Sequence, residues 1–107
     1  MDSQNFNVTK MFEVLIEQPG DFMTPASIMQ VWTYLQGCTY ALEAVDVKFD
    51  DRKLSEFARW VPARFGINVS LSWADIIYFM SGHDEARSIE LTRDLWKRFN
   101  EEKVTEG

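Results

Sequence analysis

The sequence predicts an all-α fold: a compact single-domain bundle of about five helices, with a central helix near residues 25–47. Three observations lead there. Apolar residues recur at i, i+3, i+4 and i+7 in successive segments, the spacing of one helix face rather than the alternation of a strand. Proline and glycine punctuate the chain between those segments, as at Pro19-Gly20, Gly66 and Gly82. Finally, a 46% apolar and 14% aromatic composition over 107 residues is enough for one core and too short for two. One domain is therefore expected over residues 1–107, ordered from about 6 to 102. Loose tails are expected at Met1–Asn5 and Lys103–Gly107.

In the first helix Val8, Met11, Phe12, Leu15 and Ile16 form one stripe, and Gln18-Pro19-Gly20 stops it. Thr24-Pro25 is a start signal, a capping hydroxyl followed by a proline that needs no amide partner. The helix it announces carries Ile28, Val31, Trp32, Leu35, Cys38, Leu42 and Val45 on one side. Its other side shows Met29, Thr33, Gly37, Tyr40 and Ala44, small or apolar rather than charged. Such two-sidedness predicts burial on both faces, with Gly37 where another helix crosses closely.

Asp50 or Asp51 can cap a third helix striped by Leu54, Phe57, Ala58, Val61 and Phe65. Pro62 predicts a kink or break near Trp60-Val61, and Gly66 ends the helix. Ser72 and Asp75 form a shortened capping box for a fourth, with Leu71 and Ile76 at the staple positions. Trp73, Ile76, Ile77 and Met80 are expected to face the core there. A last helix is expected from about Asp84 to Glu102, using Ala86, Ile89, Leu91, Leu95, Trp96 and Phe99. Its acidic start and the basic Lys97-Arg98 suit the helix dipole. Val69 and its neighbours could form an extended link, but no sheet is predicted.

Catalytic equipment is not legible. His83 is the only histidine and Cys38 the only cysteine, so a four-ligand structural zinc site cannot be assembled, and no partner that would activate either as a nucleophile is readable. His83 is expected as a loop residue at a helix junction, and Cys38 as a small buried hydrophobe. No phosphate-cradling glycine loop is present. The adjacent acids at Asp50-Asp51, Asp84-Glu85 and Glu101-Glu102 are expected as caps and solvated faces. The expectation is no enzyme, no metal and no cofactor.

Seventeen acids against eleven bases give a net charge of −6, which repels phosphate backbones and argues against nucleic acid as partner. Basic residues are dispersed among acids. No apolar run approaches a membrane span, and a lone cysteine suits a reducing cytoplasm. Such acidity favours a basic protein partner. The densest acidic stretch, Asp46, Asp50 and Asp51 with Glu43 and Glu56 nearby, reads either as a solvated face or as a landing site for that partner. Trp32, Trp73 and Trp96 sit on core stripes, whereas Trp60 falls off its stripe between Glu56 and Arg64. It is either covered by another segment or an interface anchor. The candidate partner-binding residues are thus Asp46, Asp50, Asp51, Glu56 and Trp60.

The run Phe57-x-x-Trp60-Val61-x-x-Arg64-Phe65-Gly66 is followed by Ser72-Trp73-Ala74-x-Ile76-Ile77 and Ser81-Gly82-x-Asp84-Glu85. This pattern resembles small bacterial immunity proteins of polymorphic toxin systems, contact-dependent growth inhibition being the best-known setting. Pro19-Gly20, Ser27-Ile28, Tyr34-Leu35-x-Gly37 and Ala41-Leu42 agree with it, so the resemblance spans roughly Pro19 to Phe99. The chain departs from the pattern at Gln18-Pro19-Gly20-Asp21-Phe22, where relatives often carry Arg-Pro-Gly-Met-Tyr, and at Cys38, where they carry tyrosine. The shared positions are mostly core and cap residues, so they speak for the fold, while partner-binding surfaces vary among immunity proteins. The resemblance implies a cytoplasmic, non-catalytic protein that binds a cognate toxin, commonly a nuclease, in stoichiometric fashion. A basic nuclease cleft and an acidic inhibitor are complementary. The alternative from another class is an acidic helical adaptor or regulatory subunit of a larger assembly; a DNA-binding helix-turn-helix is disfavoured by the charge.

Overall fold

A computed structural model describes residues 6–68 and 70–106. The chain forms α1 (Val8–Glu17), α2 (Ile28–Ala44), α3 (Arg52–Arg64), α4 (Trp73–Met80) and α5 (Glu85–Glu106), with a 3-10 turn at Pro19–Asp21. A two-residue parallel bridge joins β1 (Phe6–Asn7) to β2 (Phe49–Asp50), pairing Phe6 with Phe49 and Asn7 with Asp50. The all-α bundle of five helices is what the periodicity predicts.

Each helix begins where an oxygen can accept an orphan amide. Asn7 accepts from the Lys10 amide at 2.9 Å, Ser27 from Met29 at 3.1 Å, and Asp84 from Arg87 at 2.9 Å. Half of the expected Ser72–Asp75 box forms: the Asp75 amide donates to Ser72 Oγ at 3.0 Å, while the Asp75 carboxylate accepts at Oδ2 from the Ser72 hydroxyl at 2.9 Å rather than from its backbone amide. At α3 the N-cap is Asp51, whose side chain makes no capping bond. Asp50, the other cap the sequence offers, accepts the Arg52 amide through Oδ1 at 3.1 Å, and Thr9 of α1 accepts the Leu54 amide at 3.1 Å, tying α1 to α3.

Three helices end alike. After α2, α3 and α4 a left-handed residue follows the cap: Asp46 (φ 60°), Gly66 (φ 66°) and Gly82 (φ 77°). The next amide then reaches back to the third carbonyl from the helix end, as Val47 to Leu42 at 2.9 Å, Ile67 to Pro62 at 2.9 Å and His83 to Tyr78 at 2.9 Å. These are Schellman closures. Arg93 serves the C-terminus of α1, donating through Nε to the Ile16 carbonyl at 2.6 Å.

The core is aromatic. Phe12 and Phe57, both fully buried, lie 5.8 Å apart, and each meets Trp73 and Trp96 with ring centroids 4.9–5.7 Å away. Phe99 adds a contact to Phe57 at 5.5 Å. Inclined, edge-on geometry predominates, as the ring quadrupoles favour. Helix α5 packs against all four others. It also holds α2 through a buried bond, with the Ile28 amide donating to Ser88 Oγ at 2.9 Å.

Several expectations are corrected. The helix within residues 25–47 packs on α1, α4 and α5, but its two-sided burial does not occur. Only Ile28, Val31 and Leu35 are buried, while Tyr40 is 76% and Val45 67% exposed. No helix crosses at Gly37, where an added Cβ would meet nothing within 4 Å. The physical reason is geometric: α1, α4 and α5 cover the first half of α2, and the second half runs past them. Ser27, rather than Thr24, caps α2; Thr24-Pro25 precedes it with a cis peptide bond. Pro62 does not break α3, because it lies near the helix end and its carbonyl serves the Schellman closure. Met80 and Leu71 are largely exposed, and Trp32 and Cys38 are only half-buried. Helix α5 continues through Lys103 to Glu106 in place of a loose tail. Met1–Asn5, Val69 and Gly107 lie outside the described residues.

Candidate functional site

The five candidate residues are spread over three hollows and one helix end. Asp50 and Glu56 line a shallow hollow with Arg52 and Lys53, and Glu56 and Trp60 line the next one along α3 with Arg59 and Lys103. Here the acids are already answered. Arg52 pairs with Asp50 at 3.1 Å, and hydrogen bonding from its side chain holds the Asp50 carboxyl below its ordinary range. Lys103 pairs with Glu56 at 3.3 Å.

Trp60 is occupied as well. Its indole N–H donates to Glu102 Oε1 at 2.9 Å. Its ring stacks on Phe57 at 6.0 Å and meets Phe99 edge-on at 5.6 Å, with Arg64 6.0 Å from its centroid. Another segment, the end of α5, covers much of it. The half-buried ring braces α3 against α5.

Asp46 and Asp51 lie elsewhere. Asp46 is the exposed left-handed residue closing α2. Asp51 lines a groove of about 410 Å³ between α2 and α3, whose acids also include Glu43. No described residue forms an ion pair with Glu43, Asp46 or Asp51. The groove is floored by Val8, Leu35, Leu54 and Trp73 and walled by Trp32, Phe49 and Ala58.

The sequence places Trp32 on a core stripe and leaves Trp60 open; in the structure both are half-buried and packed against the core. Trp32 is half-buried, and among the described residues it has neither a ring partner nor a hydrogen-bond partner. Trp73 is only 8% exposed, yet its indole N–H likewise has no partner among the described residues. By contrast Trp96 donates to Glu13 Oε2 at 3.1 Å, as Trp60 does to Glu102. The signal that could have revealed the groove was the excess apolar surface of α2, which no single neighbour could bury.

His83 is exposed at the α4–α5 turn, edge-on to Tyr78 at 5.1 Å and Phe79 at 5.8 Å. Among the described residues no three His, Cys, Asp or Glu side chains are grouped to hold a metal ion. No described helix is long and apolar enough to cross a membrane. No protein-family model, curated protein or solved structure matches the chain.

Proposed function

We propose that the protein is an immunity-type inhibitor that neutralises a basic, nuclease-type toxin domain by stoichiometric protein–protein binding. One observation carries the reading: Asp50 and Glu56 are paired along the outer side of α3, whereas Glu43 and Asp46 near the end of α2 and Asp51 at the start of α3 have no ion-pair partner among the described residues. A surface carboxylate without a partner is stabilised by an incoming cation. A nuclease cleft, built to hold phosphates, supplies cations. Charge of this kind steers association and sets its salt dependence more than it sets lifetime.

The test is co-expression with the gene immediately upstream, since immunity genes follow their toxins. A one-to-one complex and restored growth are expected. Absence of both removes the reading. A permanent adaptor role is favoured by a different feature, the uncharged outer face of α2 at Thr33, Tyr34, Gly37, Tyr40, Ala41 and Ala44. Co-purification with a host assembly in place of the upstream product would select it.

A further inference from the structure

We infer that the α2–α3 groove, and not the outer side of α3, receives the partner, and that its occupant is an arginine side chain presented on the partner's surface. This rests on the binding reading above and deepens it by naming the chemistry at the contact.

The floor is apolar and aromatic, through Val8, Leu35, Leu54 and Trp73, and the half-buried Trp32 and Phe49 form its walls. Its volume of about 410 Å³ falls in the range of sites that enclose a ligand group. Two carboxylates, Glu43 and Asp51, line it without an ion-pair partner among the described residues. The occupant is therefore a cation with apolar reach. An anion, a nucleic acid or a second copy of this chain's acidic surface would meet the wrong sign.

Three of the chain's own cations stand near rings of α3 and α5, two of those rings being buried in the core. Lys53 stands 5.4 Å from the centroid of Trp96, Arg64 6.0 Å from Trp60 and Lys103 5.9 Å from Phe99. Among the described residues no cation stands over Trp32 or Phe49. The partner supplies it. A guanidinium fits better than an ammonium, because it is planar, sheds water more readily, stacks on an indole and meets carboxylates through a fork of donors. The unused indole N–H groups of Trp32 and Trp73 remain for carbonyl oxygens of the segment that carries the arginine.

Two measurements test this. In the first, the full chain binds the upstream gene product, and three variants are compared after melting has verified their fold. Thr39→Trp fills the groove from its α2 wall, and Glu43→Gln with Asp51→Asn removes the charge without changing shape. Tyr40→Glu marks the outer face of α2. The groove variants should weaken binding by about 30-fold or more, the loss typical of an anchor residue; Tyr40→Glu should leave it nearly unchanged. Full affinity in both groove variants overturns the groove while the toxin reading stands.

The second needs no toxin. An N-acetylated, C-amidated pentapeptide with a central arginine flanked by leucines is titrated to millimolar concentration against ¹⁵N-labelled chain. The indole resonances of Trp32 and Trp73 should move. They should stay still for the citrulline analogue and in the Glu43→Gln, Asp51→Asn variant. A chain that fails to bind the toxin but seats this peptide retains the groove and loses the toxin reading. Shifts clustered at Tyr40, or no shift at Trp32, overturn the arginine assignment.

Discussion

Replacing Gly37 with alanine should stabilise the protein. Gly37 lies in the interior of α2 with ordinary helical backbone, and the added Cβ meets nothing within 4 Å. No neighbour must move, no cavity is filled and no strain is created. What remains is the backbone entropy that glycine loses in a helix, about 0.8–1.0 kcal/mol relative to alanine. Unfolding entropy for a chain of 107 residues is about 0.2 kcal/mol/K near the transition, so the melting temperature should rise by about 4 °C. Scanning calorimetry and urea denaturation at neutral pH measure it, the latter as a higher midpoint with unchanged slope. Gly37→Leu should also be tolerated, because leucine is a good helix former. If a helix did cross there, leucine would overpack the crossing and cost about 1–3 kcal/mol. A fall in stability for either variant refutes the open-face description.

Phe57→Ala should cost about 3–5 kcal/mol by urea denaturation, since a fully buried ring packed on Phe12, Trp73, Trp96 and Phe99 leaves a cavity that those rings cannot fill. Trp60→Phe keeps a smaller aromatic ring and loses the donor to Glu102; a loss of at least about 0.5–1.5 kcal/mol with unchanged partner association is expected, and slower association would contradict the bracing role. Asp46→Gly should gain about 1 kcal/mol in a melt, because glycine adopts the left-handed closure at no steric cost. The Asp50 carboxyl is depressed in the folded state by the Arg52 hydrogen bond, so its contribution is present above its ordinary value of 3.8. It fades as pH falls through the lower folded value. Asp50→Asn should therefore flatten the acid limb of a stability–pH profile below about pH 4 and leave melting at pH 7 to 8 parallel to wild type.

Much of the fold was legible because the signals were local. Ser72 with Asp75 announced α4 through two oxygens within one turn, and Gly66 and Gly82 announced endings that need a left-handed residue. Asp46 closes α2 in the same way but carries no glycine, so that end read as a continuing helix. The burial of α2 was misread for a different reason. A helical wheel gives which residues share a side, not how far along the axis a neighbour extends, and α2 outruns the helices that cover it. The site suffered likewise: Trp60 lies off its stripe, yet Glu102 and Phe99, about forty residues away in the chain, come back to occupy it. Such long-range pairing leaves no periodic trace.

The groove depends on this uneven burial. The first half of α2 is fixed at Ile28, Val31 and Leu35 and by the bond from the Ile28 amide to Ser88. Its far end is closed by Leu42, Asp46 and Val47, so the exposed half does not need a neighbour to stay helical. The opposite wall, α3, is fastened to α1 through Thr9 and to α5 through Trp60 and Lys103. Both walls are thus held before any partner arrives. Binding then spends little of its free energy on ordering backbone. On the proposed reading, a cation entering between them loses water against a surface that does not have to reorganise, which is the condition under which two carboxylates without an ion-pair partner among the described residues and a half-buried indole convert into affinity rather than into a cost.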